Sequence, residues 1–319
     1  MTRKRILITG ASGCVGHYLV EDLLRNSEHE LVLVLRDPAK LQLNVAGNER
    51  VRIIPADMTD VGSYAGNLGR IDAALLVAAA WGGNEAFAVN YTANLALADA
   101  LIEQGCPRIL YFSSASVLQA EGLMLPEAKL LGSDYIRSKY DLVEAMEKRA
   151  EGADIVGLFP TLVLGGDPDK PVSHFARLLR QAAPWAWLAK LLRADGKFHF
   201  IHARDIAIVA RKLIDADFPA GIPQRIVLGN PAMTVNAFVD GFAAHIGARR
   251  APFTVTLRDS FAEFLIRVFR IKLSPWDRYC MEHRDLSFRD ARNPAAFGEA
   301  AFTPDLPSAL DSIGVTRRR

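Results

Sequence analysis

Thr9-Gly10-Ala11-Ser12-Gly13-Cys14-Val15-Gly16 decides how the rest of the chain is read. An apolar run, Arg5–Thr9, precedes it and a helical pattern, Gly16–Asn26, follows, so the glycines fall in a strand-to-helix turn. Glycines at every third position serve a tight turn, a close approach of backbone to a pyrophosphate, and a close helix–strand contact. The amides at the helix start, with the positive end of its dipole, then hold the phosphates. Gly10, Ser12, Gly13, Cys14, Val15 and Gly16 are therefore the first candidates for binding a dinucleotide. A helix N-terminus can also lower a thiol pKa, although a small loop residue is the plainer reading of Cys14.

Working outward, strand-like runs at Glu30–Leu35, Val51–Pro55, Ala73–Ala79, Arg108–Ser113 and Ile155–Phe159 alternate with helical patterns, notably Asn90–Gln104 and Tyr135–Ala150. Near-continuous apolar strands in that rhythm predict an α/β fold of Rossmann type, a doubly wound parallel sheet covered on both faces. Beyond Pro160 the rhythm changes, with loop chemistry at Gly165-Gly166-Asp167-Pro168 and repeated prolines at 171, 184, 219, 223 and 231. Helices are expected at Arg204–Ala216, with Asp205 near its start, and at Val235–Ile246, entered from Thr234. Residues 1–164 are read as the dinucleotide-binding domain, with 197–217 returning to it. Residues 165–196 and 218–319 are read as a smaller C-terminal substrate-binding lobe that shares elements with the sheet rather than folding alone.

The second strand ends in Leu35-Arg36-Asp37-Pro38-Ala39-Lys40. An NAD site usually has an acid there for the ribose 2′-hydroxyl. Here Leu35 takes that place and Arg36 follows, a guanidinium suited to a 2′-phosphate, with Lys40 adding charge. NADP(H) is the expected cofactor and NAD the lesser candidate, with Asp37 as the residue that complicates the choice.

Tyr135 and Lys139 lie four apart on a predicted helix and share a face. A phenol with pKa near about 10 is a poor acid–base at neutral pH, and a neighbouring ammonium brings it toward the working range. Ser113-Ser114 end a predicted strand, where open parallel sheets keep their active sites, and a hydroxyl there would polarise a substrate carbonyl. A Tyr-x-x-x-Lys pair alone is weak, since surface helices produce such pairs by accident. None of the other six tyrosines has a lysine four residues on.

Taken with these residues, the chain resembles an extended short-chain dehydrogenase/reductase of the NAD-dependent epimerase/dehydratase family. The resemblance is carried by Thr9–Gly16, by Ala56-Asp57-Met58-Thr59-Asp60, by Asn90-Tyr91-Thr92-Ala93-Asn94 and by Tyr111–Val117 with its serines. It continues through Tyr135-Ile136-Arg137-Ser138-Lys139 and Phe200-Ile201-His202-Ala203-Arg204-Asp205. It implies that Ser114 polarises the substrate oxygen, Tyr135 transfers the proton and Lys139 tunes Tyr135. It also implies cofactor contacts at Asp57, Met58, Ala78, Ala79, Asn90, Tyr135, Lys139, Pro160 and Thr161, and a homodimer through helices beside the active-site strand. Nucleotide-sugar members usually carry an asparagine where Pro160-Thr161-Leu162-Val163 has Leu162, and Ser116-Val117-Leu118-Gln119 lacks their Val-Tyr-Gly. Loss of such hydrogen-bonding groups points to a less polar substrate, on the dihydroflavonol-reductase side. The expected activity is NADPH-dependent reduction of a carbonyl, or oxidation of a secondary alcohol, on a relatively apolar small molecule. The alternatives are a nucleotide-sugar epimerase or dehydratase with tightly held NAD, and a non-catalytic NADP-binding sensor or scaffold. A pure binding module would have no need of Ser114, Tyr135 and Lys139 together.

Bulk properties fit this reading. Half of the 319 residues are apolar and the net charge is +2, so no nucleic-acid partner is expected. Arg317, Arg318 and Arg319 read as a solvated tail. Cys14, Cys106 and Cys280 show neither a disulfide framework nor zinc spacing, and His199, His202 and Asp205 lack a further ligand, so no metal is expected. His199 is a candidate to line the substrate cleft. No signal-peptide pattern precedes the first strand, and the expectation is a cytoplasmic protein, at most peripheral to a membrane. Pro184–Arg193 and Phe261–Lys272 alternate bulky apolar and cationic residues. Such stretches suit a lipid headgroup layer, a core, a subunit contact or a lipophilic pocket, and the sequence leaves these open.

Overall fold

The computed structural model describes residues 3–83, 85–248, 253–257 and 272–316. The Phe261–Lys272 stretch, Lys272 excepted, and the tail Arg317–Arg319 lie outside these residues, as does the side chain of Trp187. Eight parallel strands form the main sheet: β1 (Arg5–Thr9), β2 (Glu30–Leu35), β3 (Val51–Pro55), β4 (Ala73–Leu76), β5 (Arg108–Phe112), β6 (Asp154–Pro160), β7 (Gln224–Leu228) and β8 (Ala291–Arg292). Their spatial order is β8-β7-β6-β5-β4-β1-β2-β3.

The chain starts in the middle of the sheet and reverses direction between β1 and β4. Alternate residues of each strand point to opposite layers. Leu7, Val32, Leu76 and Ile109 pack with Leu97 and Leu101 of α2 (Asn94–Glu103) and with Leu142 and Met146 of α3 (Asp134–Glu147). Ile6, Ile8, Leu33 and Leu110 pack with Leu19 and Leu23 of α1 (Cys14–Asn26) and with Ile206, Val209 and Leu213 of α5 (Ala203–Asp215). A separate cluster joins α4 (His174–Ala182) to α6 (Val235–His245) and to Leu306 and Leu310 through Leu179, Phe238 and Phe242. Ser133, Ser173 and Thr234 cap α3, α4 and α6 by accepting from the backbone N–H three residues on.

Two expectations are corrected. β4 ends at Leu76, short of Ala79, because the Val77 and Ala78 amides turn to the Thr9 hydroxyl at 3.2 and 3.4 Å. The helix expected from Asn90 opens with a π-helical turn over Ala88–Ala93 before α2 begins. Two strands of the main sheet, β7 and β8, come from within 218–319, the stretch read as lobe. Pro219, Pro223 and Pro231 flank β7 without entering it, so its N–H groups stay free to pair with β6. Trp185, Leu188 and Leu192 are exposed while Ala186 is buried. Among the described residues no helix is long and apolar enough to cross a membrane.

Asp205, in the first turn of α5, is buried and fastens the C-terminal segment to the Rossmann layer. Its carboxylate accepts from Phe302 N (2.6 Å), Thr303 N (3.2 Å) and Thr303 Oγ1 (2.8 Å). Asp205→Ala strands those donors, and the expected loss is about 2–4 kcal/mol of unfolding free energy in a urea titration. A loss below about 0.5 kcal/mol would show that this clamp is not structural.

Candidate functional site

The carboxyl ends of β1, β2, β4, β5 and β6 open onto one cavity of about 1620 Å³. Its floor is the glycine loop. Gly10 has φ +70°, and a Cβ there would lie 2.6 Å from Ala78 N, so only glycine lets the turn after β1 sit this close to the loop after β4. A Cβ on Gly16 would lie 2.1 Å from the Gly10 carbonyl oxygen, which makes this the close helix–strand contact. Gly13 is exposed to the cavity, and a Cβ there would meet nothing nearer than the Gly10 oxygen at 3.3 Å. Gly13 is also the N-cap of α1, with no side-chain cap and no acid in the first turn. The first amides of α1 therefore face open space at the positive end of a 13-residue helix, a cradle that fits a pyrophosphate.

Nearly every residue nominated from sequence borders this cavity: the loop residues Gly10, Ser12, Gly13, Cys14, Val15 and Gly16, then Arg36, Asp57, Met58, Ala78, Ala79, Ser114, Tyr135, Lys139, Pro160 and Thr161. Arg36 is exposed and lies 3.7 Å from Asp57, whose carboxylate also accepts from Thr59 and is held below the usual carboxylate range. Two nominated residues are not on the wall. Lys40 is exposed and 4.0 Å from Asp37. Asn90 is fully buried, its amide hydrogen-bonded to Ala80 N and O (both 2.8 Å) and to Ser138 Oγ (3.0 Å), so it ties down the loop after β4. Asp37 accepts from Ala39 N, capping the Pro38–Lys40 turn, and is also off the wall.

Ser114, Tyr135 and Lys139 converge where β5 ends against α3. Tyr135 and Ser114 share a hydrogen bond, and burial pushes the Tyr135 phenol up to about 12 while that bond pulls the other way. Lys139 is 1% exposed, donates Nζ to the Phe112 carbonyl at 2.7 Å, and is brought down to about 7 by burial. Ser113 donates back to the Lys139 carbonyl at 3.2 Å. Burial thus sets the direction for both groups, raising the phenol and lowering the ammonium, with Lys139 one helical turn from Tyr135.

Burial and Asp167 push the Cys14 thiol up to about 12, which rules out the activated thiolate that its helix-start position allowed. His199 borders the cavity, but both ring nitrogens are taken: Nδ1 meets the Asn230 carbonyl at 2.7 Å and Phe288 N donates to Nε2 at 2.9 Å. His202 caps α5 and, buried, drops to about 4. Sequence reasoning missed the aromatic part of the lining, to which Trp81, Phe175, Leu178, Trp276, Tyr279 and Phe288 come from four separate segments. Their adjacency arises from tertiary folding, and no local spacing announces it.

Comparison with known proteins follows the same lines. A family model described as NAD dependent epimerase/dehydratase family matches residues 6–229. The divinyl chlorophyllide a 8-vinyl-reductase of Oryza sativa subsp. indica is 32% identical over 136 residues, 39% of this chain and 33% of that protein. The alignment thus spans a third of the curated relative's length. The Bordetella bronchiseptica enzyme WbmG, solved with NAD and UDP, superposes with a TM-score of 0.68 at 18% identity over 98% of this chain and 93% of that one. The UDP-N-acetylglucosamine 4-epimerase of Methanobrevibacter ruminantium M1 does so with 0.66 at 17% identity over 99% and 97%. At such identities the two structures speak for the fold, a Rossmann-like parallel sheet. The chain is a member of the NAD-dependent epimerase/dehydratase family.

Proposed function

We propose that this protein is an NADPH-dependent oxidoreductase that reduces a carbonyl, or oxidises the corresponding secondary alcohol, on a relatively apolar small molecule. The observation that carries the reading is the convergence of Tyr135, Ser114 and Lys139 on the wall of the same cavity that takes in the glycine cradle. A neutral phenol is a proton donor in waiting. The glycine cradle, the first amides of α1, Asp57 and Met58 would hold the dinucleotide. Arg36 beside it, with Asp37 turned to its own backbone, favours a 2′-phosphate. The bound cofactor supplies the hydride that the substrate carbon accepts.

Tyr135 Oη gives its proton to the substrate oxygen while Ser114 Oγ donates a second hydrogen bond to that oxygen. Lys139, one helical turn from Tyr135, favours the negative charge left on the phenol oxygen. Among the described residues, the lysine and arginine side chains on the cavity wall are Lys139 and Arg36. A nucleotide-sugar diphosphate would want cationic partners in the substrate half, where the described lining mixes aromatic and leucine side chains with acids such as Glu127, Asp277 and Asp285 and carries no lysine or arginine. That contrast favours an apolar ketone over the epimerase reading.

Two experiments test this. Tyr135→Phe is expected to cut NADPH consumption with ketones by at least about 1000-fold while leaving dinucleotide affinity within about threefold. Full activity in that variant would overturn the mechanism. The second concerns Lys139, whose pKa falls to about 7 from the ordinary 10.5 on burial, so the unfolded chain binds its proton more tightly. Stability should therefore rise with pH through that interval, by up to about 1.4 kcal/mol per pH unit, and the contribution is lost as pH falls through 7. Urea titrations between pH 6 and 10 should show that rise in the native protein and a flatter profile in the Lys139→Met variant, which should also be inactive. Identical profiles would refute the buried ammonium.

A further inference from the structure

The loop after β4 carries an aromatic side chain with no counterpart in the expectations above. Trp81 stacks on the ring of Tyr135, with centroids 4.6 Å apart and planes 11° from parallel, and lies against His174 at 5.7 Å and 26°. Yet Trp81 remains 69% exposed. An indole recruited for core packing would be buried; this one lies flat on the proposed proton donor and leaves most of its surface open beside the cavity it borders.

Its backbone is held in register with that donor. Ala80, the preceding residue, is gripped at N–H and carbonyl by the Asn90 amide. The same amide donates to Ser138 Oγ, which donates in turn to the Tyr135 carbonyl at 2.8 Å. On the other side of Trp81, added Cβ atoms at Gly82 and Gly83 would meet nothing within 4 Å, and Gly83 has φ +68°. One end of the segment is therefore tied to the tyrosine's helix and the other is unobstructed. His174, stacked against Trp81, begins α4, whose Phe175 and Leu178 also border the cavity.

We infer that Trp81 is a specificity-determining residue. It closes one face of Tyr135 and offers its indole, braced by His174, as the plane on which a flat ring system of the substrate lies, so that the carbonyl meets Tyr135 Oη and Ser114 Oγ edge-on. The inference rests on the carbonyl-reductase reading of this cavity. It adds that substrates with a planar, conjugated ring are preferred to saturated ones of the same size.

The test uses two ketones of matched size, α-tetralone (planar) and 1-decalone (saturated), with the cofactor-loaded full chain. Calorimetry on the NADP⁺-loaded protein is expected to show α-tetralone binding weakened about tenfold by Trp81→Ala and largely restored in Trp81→Phe, with 1-decalone shifted less than about threefold. In turnover, KM for α-tetralone should rise in step while kcat stays within about twofold. Equal losses for both ketones, a fall in kcat at unchanged KM, or no binding of α-tetralone to the native protein would each overturn the inference. Trp81-dependent binding of α-tetralone without NADPH consumption would uphold the platform and sink the reductase reading, so the two failures are distinguishable.

Discussion

Lys139 donates its ammonium to the carbonyl of Phe112, and Ser113 donates back to the carbonyl of Lys139. These two bonds weld the end of β5 to α3, and the arrangement of the site depends on them. β5 ends where the Ser113-Ser114 pair begins, so fixing the helix against it fixes Tyr135 relative to Ser114. The weld extends one step further, from Ser138 through Asn90 to Ala80, and brings the β4 loop into the same polar body. Burying an ammonium is costly, as its pKa near 7 records. The cost falls on a residue whose charge is useful when a phenol one turn away gives up its proton.

Much of this was legible in the residues. β1, β2 and β3 coincide with the runs read from sequence; β1 and β2 are buried on both faces and apolar almost without interruption, and β3, at the sheet edge, still carries Ile53 and Ile54. The glycine loop was equally readable, since each glycine answers a separate steric demand, and Gly10 and Gly16 meet those demands against backbone atoms. Short-range patterns thus identified the dinucleotide side of the cavity.

The failures also have physical causes. β7 was hidden by prolines that punctuate its flanks, and β8 spans two residues, too few for any periodicity. That Asn90 ties down the loop after β4 was equally hidden, because a buried amide satisfies its donors and acceptors on whatever backbone folding brings near. The tyrosine–lysine pair was legible from its spacing, whereas the burial that raises the phenol and lowers the ammonium was not, because spacing reports proximity and not desolvation. Trp81 was overlooked because a stack with Tyr135 and His174 joins positions far apart in the chain. The result is a cavity of mixed lining: small residues and backbone amides at the glycine loop, and aromatic and leucine side chains interspersed with acids elsewhere.

The account stands or falls on a dinucleotide bearing a 2′-phosphate occupying this cavity. Calorimetric titration of the purified full chain with NADPH and, separately, NADH tests that most directly. The account predicts one molecule of NADPH per chain, bound at least about tenfold more tightly than NADH, as a guanidinium beside a 2′-phosphate requires. Equal or tighter binding of NADH would contradict it, return Asp37 to consideration as a ribose ligand, and move the balance toward an enzyme that retains NAD.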